Sequence, residues 1–291
     1  MDFNNLDEVK EKFADFEKIF ESGDKEKAAD MLDKLLDALE ENTDVRRAGK
    51  VSSDGSIVMT DDDGKDVYMS LNHVMEYYIY AYYYKPDFDV KCTEIPYGAY
   101  YRTYGELCLE LGKYHGAEKA FIKAISWNPV DLDAILGLAE SYKYTNKMQR
   151  YLNTTKMAYR YCCTRATMAR YYRNMGYYYL NKYETEMARA CYIYSNIYYH
   201  TDNADSELNY LAAALKDETP DLSIREMQKM FADTGVEPGP DSDTIGVVYR
   251  VGELMMEDGE LKLAKDCFSI VYDITQEEKL ENLLDSMADI K

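Results

Sequence analysis

The sequence predicts an all-α protein, an array of stacked helical hairpins interrupted once near its N-terminus by a small β-hairpin. Three observations carry this expectation. Apolar residues recur at spacings of three and four along most of the chain, the period of an amphipathic helix. The stretch from Gly98 to Pro129 reads as two such helices joined at Gly112, and later stretches repeat its order of small and large residues. Only between residues 46 and 69 does the period fail, around Asp54-Gly55, a pair suited to a tight hairpin turn.

In chain order, residues 5–22 are expected to form a first helix with Leu6, Val9, Phe13, Phe16 and Phe20 on one face. Gly23-Asp24 turns the chain, and residues 25–41 form a second helix that aligns Ala28, Met31, Leu32, Leu35 and Leu39. The charged outer face of this pair suits the solubilising end cap that a repeat array needs. Arg46–Ser53 and Ser56–Thr60 then read as strands, with a further turn at Asp63-Gly64 before Val67–Met69. Strand is expected there and nowhere else. Asp61, Asp62 and Asp63 do not make a calcium loop, because Met59 and Ser70 occupy its first and last ligand positions. Ser70 is placed to cap a helix from Leu71 to Tyr84, which Lys85-Pro86 ends, and a loop to Pro96 follows. The expected divisions are a cap-like hairpin over 1–45, the β insertion over 46–69 and a repeat array over 70–291.

The central repeat sets Tyr101, Tyr104, Gly105, Cys108, Leu109 and Leu111 along one helix and Ala117, Ala120, Phe121, Ala124 and Ile125 along the next. Trp127-Asn128-Pro129 stops it, since Pro cannot continue a helix. Gly105, Ala117 and Ala124 are small enough for two helix backbones to approach closely. A weaker unit carries Ile135, Leu138, Ala139, Tyr142, Tyr151 and Ala158. Better copies carry Tyr172, Met175, Gly176, Tyr179, Ala188 and Tyr192, then Val248, Val251, Gly252, Met255, Gly259, Ala264 and Phe268. Further helices are expected at 204–216, 221–233, 244–257, 260–274 and 276–289, with Thr219-Pro220 starting the second of these. The loop over 235–243, GVEPGPDSD, is expected to be a flexible joint.

These residues resemble the tetratricopeptide repeat family. Tyr101 stands where the family has Trp, Tyr104 for its Leu, Gly105 for its Gly and Cys108 for its Tyr, and Ala117, Phe121, Ala124 and Pro129 complete the pattern. Gly105 to Gly176 spans 71 positions and Gly176 to Gly252 spans 76, against about 68 for two ideal units, so the repeats carry small insertions. The resemblance implies a right-handed, irregular superhelix of helical hairpins. It also implies that the first helix of each hairpin lines a concave face that binds a protein or peptide. The inward side chains would be Arg102 and Glu106, then Gly137 and Glu140, then Arg170, Arg173, Asn174 and Tyr177. Some members grip a peptide's C-terminal carboxylates with Lys, Asn and Arg at such positions. Arg102 and Arg170 suit that role. Glu106 and Gly137 replace the gripping asparagines, and Asn174 replaces an Arg, so a mixed-charge groove with tyrosine walls is the fitting description.

Composition narrows the function classes. A formal net charge of −20 repels nucleic-acid phosphates and favours basic or neutral partners. No stretch is long and apolar enough to span a membrane, and the acidic N-terminus lacks the features of a signal peptide. Six cysteines without zinc spacing fit a reduced, cytoplasmic compartment. Thirty tyrosines cluster at 76–85, 97–101 and 170–180, where an apolar body with a polar tip serves either packing or a groove wall. His73, His115 and His200 stand apart from one another, and no nucleophile elbow, phosphate loop or metal motif is present. The expectation is a non-catalytic scaffold that needs no cofactor and binds a protein or peptide. A sensor of a small ligand or signalling peptide is the first alternative, and an enzyme the second.

Overall fold

A computed structural model describes residues 6–61, 66–214 and 222–290. Among them are fourteen helices and five short strands. The chain divides into two compact units, residues 1–154 and 155–291.

The first unit opens with α1 (Leu6–Glu21) and α2 (Lys25–Asn42), which pack on each other and bury Phe13, Phe16, Leu32 and Leu36. Asp24 caps α2 by accepting the Lys27 N–H at 3.1 Å, and Gly23 makes the turn with φ +82°. Five strand pieces follow in order: β1 (Arg46–Arg47), β2 (Gly49–Val51), β3 (Ile57–Met59), β4 (Val67–Met69) and, beyond α3 (Val74–Tyr84), β5 (Val90–Cys92). β2 and β3 form the expected antiparallel hairpin, Gly49 opposite Met59 and Val51 opposite Ile57. Strand is not confined to 46–69, however. β4 lies between β1 and β5, parallel to both, with Val67 paired to Arg46 and to Val90. The expected turn at Asp63-Gly64 lies outside the described residues.

The helix after β4 starts later than expected. His73, not Ser70, is the cap: its Nδ1 accepts the Met75 N–H at 3.1 Å, while the Glu76 carboxylate accepts the His73 N–H at 3.2 Å. Ser70 instead accepts the Gly98 N–H at 3.0 Å, joining the sheet to the central repeat. That repeat is α4 (Tyr97–Glu110) and α5 (Tyr114–Trp127), followed by α6 (Leu132–Tyr144) and α7 (Met148–Tyr159). α4 also packs against α2, and Phe13 of α1 stacks on Tyr100 with ring centroids 4.0 Å apart.

Gly105 of α4 lies against the Phe121 ring of α5, and a Cβ there would sit 2.8 Å from ring carbon Cε1. Gly137 of α6 meets the same ring more closely still, so α4, α5 and α6 converge on one aromatic side chain. Gly49 plays a similar part in the hairpin: a Cβ there would lie 2.6 Å from the Ile125 carbonyl, so β2 rests directly on α5. The far end of the hairpin docks on α7, where Thr154 Oγ1 donates to the Gly55 carbonyl at 3.1 Å.

The second unit runs α8 (Arg165–Asn181), α9 (Thr185–Tyr198), α10 (Asp202–Ala214), α11 (Ile224–Thr234), α12 (Ser242–Glu257), α13 (Leu261–Thr275) and α14 (Glu278–Ser286). The Thr219-Pro220 start signal lies outside the described residues. α11 is capped by Ser223 in a reciprocal box with Glu226. α8 pairs with α9 and α12 with α13, and the glycine–ring contact recurs in both pairs, Gly176 under Tyr192 and Gly252 under Phe268. The loop over 235–243 is held rather than free. Tyr172 and Tyr194 donate their hydroxyls to the carbonyls of Glu237 at 2.7 Å and Pro238 at 2.8 Å, and Val236 is buried. Tyr172 also stacks on Tyr198 and Phe231, so the tyrosine clusters supply packing with their rings and tether backbone with their tips.

Two glycines of α12 make a test of this packing. A Cβ on Gly246 would meet no atom within 4 Å, whereas a Cβ on Gly252 would lie 2.7 Å from the buried Phe268 ring. Gly246→Ala is expected to stabilise by about 0.5–1 kcal/mol through helix propensity. Gly252→Ala is expected to destabilise by about 1–3 kcal/mol through overpacking. Urea unfolding of the two variants checks both signs.

Candidate functional site

Arg102 is tied down inside the first unit. Its guanidinium reaches both carboxylate oxygens of Asp131, at 3.1 and 2.9 Å, and Asp131 caps α6 by accepting the Ala134 N–H at 3.0 Å. Asn72 bridges onward, donating to Asp131 at 3.0 Å and to Glu76 at 3.1 Å, while Asn128 donates to Glu76 at 2.9 Å. Burial raises the Glu76 pKa, the Asp131 charge adds to that, and the surrounding N–H donors pull against both. Burial also works against the Arg102 charge, but Asp131 outweighs it and holds the guanidinium protonated. These groups tie α3, α4 and α6 together, and their partners are all internal. Glu106 stands one turn along from Arg102, 4.0 Å from its Nε, and Glu140 pairs with Lys143 at 3.1 Å. Gly137 faces Phe121 rather than open space.

The other four sequence-predicted residues share α8 of the second unit. Thr164 caps that helix by accepting the Thr167 N–H. The helix carries Arg165, Arg170 and Arg173 and no Asp or Glu, in a protein with 54 acidic residues. Met168, Tyr171, Tyr172, Met175 and Tyr179 are buried, while Arg170, Arg173 and Tyr177 are half-buried at spacings of three and four, along one accessible stripe. Asn174 is buried beside them.

Arg173 is the unusual member. Among the described residues no carboxylate lies within ion-pairing distance of it, and its NH1 reaches only Ser195 Oγ on α9, at 3.5 Å. Burial lowers its pKa, and the like charge of Arg170 lowers it further. A half-buried guanidinium pressed by desolvation and by a second cation is held at an electrostatic cost that an incoming anion or carbonyl oxygen would relieve. Its planar fork keeps donors unspent, and Tyr177, one turn along, offers an aromatic surface beside it.

Among the described residues, no three His, Cys, Asp or Glu side chains converge to hold a metal ion. Cys162 and Cys163 are buried, and burial pushes both thiols up, Cys163 to about 12, away from nucleophilic character. Among the described residues no helix is long and apolar enough to cross a membrane. Compared with known proteins, no family model matches this chain and no curated protein matches its sequence.

A second polar cluster, which the sequence did not mark, lies where α2, α4 and α5 meet. Glu40 accepts from Arg47 at 2.8 Å, from Tyr101 at 2.8 Å and from Lys123 at 2.5 Å. Burial pushes the Glu40 pKa up, but the hydrogen bonds from Arg47, Lys123 and Tyr101 outweigh it and bring the value from 4.5 down to about 2. A carboxylate depressed in the folded state stabilises at pH values above its unfolded pKa, and that contribution is lost as pH falls toward the folded pKa. The melting temperature is therefore expected to fall on acid titration between pH 4.5 and about 2, and Glu40→Gln is expected to flatten that limb relative to the parent. A limb unchanged by the substitution would show that acid instability arises elsewhere.

Proposed function

We propose that this chain is a non-catalytic scaffold of the tetratricopeptide-repeat type, a right-handed superhelix that binds an extended protein or peptide segment on its inner face. The glycine–ring contacts of the α4–α5, α8–α9 and α12–α13 pairs support the repeat reading. The accessible stripe of α8 is the binding element. The observation that carries this is Arg173, half-buried and, among the described residues, without a carboxylate partner in a chain of net charge −20.

A guanidinium so placed suits a carboxylate or a run of backbone carbonyls, with Tyr177 packing against the peptide. The long-range field of the chain repels strongly acidic partners. The favoured ligand is thus a neutral or basic segment with a single acidic anchor, a side chain or a C-terminal carboxylate. The six free cysteines support placing the scaffold in a reducing, cytoplasmic setting.

Selection from a random peptide library, followed by affinity measurement on the full chain, tests the reading. Arg173→Glu is expected to weaken the selected peptides at least about tenfold, equivalent to about 1.4 kcal/mol. The melting temperature is expected to stay near the parent's, because the new carboxylate sits beside Arg170. Tyr177→Ala is expected to weaken the same peptides. Unchanged affinity in Arg173→Glu removes α8 as the binding element. A large drop in melting temperature makes Arg173 a structural residue.

A further inference from the structure

The hairpin and α5 enclose a second feature that the scaffold reading does not use. A cleft of about 380 Å³ opens between residues 45–51 and α5. Its lining includes Arg46, Arg47, Lys50 and Lys123 and, among the described residues, no carboxylate. Four cations around one concavity are conspicuous in a chain with 34 basic and 54 acidic residues.

The cations differ in how they are held. Arg47 is fixed on three sides: Glu40 accepts at 2.8 Å, Ser126 Oγ accepts at 3.4 Å, and the guanidinium lies over the Trp127 ring at 4.7 Å. Lys123 shares the same Glu40 carboxylate. Arg46 is buried, donates toward the Thr60 carbonyl and lies over the Phe88 ring at 4.6 Å. Lys50 projects from β2 into solvent, and no carboxylate pairs with it among the described residues. One carboxylate thus serves both Arg47 and Lys123, and Lys50 adds a further positive charge at the mouth. The arrangement is preset: Gly49 locks β2 onto α5, so the strand and helix cations keep their separation without a ligand.

We propose that this cleft binds a phosphate group, presented as a phosphomonoester. A tetrahedral dianion offers several oxygens to the cations that line the cleft from its strand and helix walls, whereas a single carboxylate offers two oxygens in one plane. The volume lies at the small end of ligand clefts and exceeds what a bare phosphate fills, and Val51 and Ile122 line the remainder with apolar surface for the organic part. This site belongs to the first unit and does not depend on the α8 reading.

Calorimetric titration of the full chain at low ionic strength tests it with four probes: inorganic phosphate, glycerol phosphate, N-acetyl phosphoserine amide and sodium acetate. Saturable binding of the two esters is expected at roughly 0.1–1 mM, weakening steeply with salt. Acetate is expected to bind at least about tenfold more weakly. A preference for glycerol phosphate identifies a small metabolite as the source, and a preference for the phosphoserine amide identifies a phosphorylated side chain. Lys50→Glu is expected to weaken the esters at least about tenfold and Lys50→Arg to keep them within about threefold. Lys229→Glu, the same change of net charge at an exposed position of α11, is expected to leave binding within about twofold. Lys50 is exposed, so its variants are expected to melt with the parent; Lys50→Ala serves if Lys50→Glu does not. No saturation below about 10 mM, equal binding of acetate, or equal losses in the Lys50→Glu and Lys229→Glu proteins each overturn the proposal.

Discussion

An aromatic ring pressed this closely against a helix requires that no Cβ stand at the contact, and this constraint organises each unit of the protein. Phe121 follows Gly105 by sixteen positions, Tyr192 follows Gly176 by sixteen, and Phe268 follows Gly252 by sixteen. Two helices and a turn account for that interval, so the same hairpin geometry is set three times by the same pair of residue types. Close packing leaves little slack around such rings, since interiors are as dense as organic crystals. In the first unit the contact is shared, because Gly137 brings α6 onto the ring that Gly105 already meets. Gly49 extends the same logic to a strand, with the Ile125 carbonyl in place of a ring.

Once the helices are fixed this closely, their polar residues separate into two kinds. Those at the helix junctions are consumed internally. Arg102 and Asp131 close one end of α6, and Asn72, Glu76 and Asn128 continue the network into α3. The Glu76 and Glu40 carboxylates are both enclosed by donors, yet their pKa values move in opposite directions. Burial pushes both up; at Glu76 the like charge of Asp131 adds to it, whereas at Glu40 the hydrogen bonds from Arg47, Lys123 and Tyr101 outweigh it. The second kind comprises cations that, among the described residues, the frame holds without a carboxylate of their own, Arg173 on α8 and Lys50 on β2. The two differ in burial, Arg173 being half-buried and Lys50 exposed.

What was legible in the sequence follows from range. The helices over 97–127 and 165–198 are periodic within themselves, so local spacing sufficed, and the Asp54-Gly55 hairpin formed where its turn chemistry placed it. β5 was not legible because Val90–Cys92 is three residues long and is strand only through its pairing with β4, which lies before α3. Ser70 looked like a cap because its residue type is right, but the Gly98 N–H claims its hydroxyl and His73 does the capping. The loop over 235–243 read as a joint from its Gly and Pro content; the tyrosine hydroxyls that hold it come from α8 and α9, more than forty residues upstream. Arg102 and Arg173 looked alike along the chain. Their difference depends on Asp131, which approaches Arg102 through the start of α6 and has no counterpart at Arg173 among the described residues.

The central claim is that glycine and ring act as one unit, and a double-mutant cycle at Gly137 and Phe121 measures it most directly. In the parent, Gly137→Ala drives a Cβ into the Phe121 ring; in a Phe121→Leu background the ring is absent and the methyl has room. The account predicts that Gly137→Ala costs less in the Phe121→Leu protein than in the parent, with a coupling energy of about 0.5–3 kcal/mol. Additivity within about 0.3–0.5 kcal/mol would contradict it, because two residues in such contact cannot respond independently.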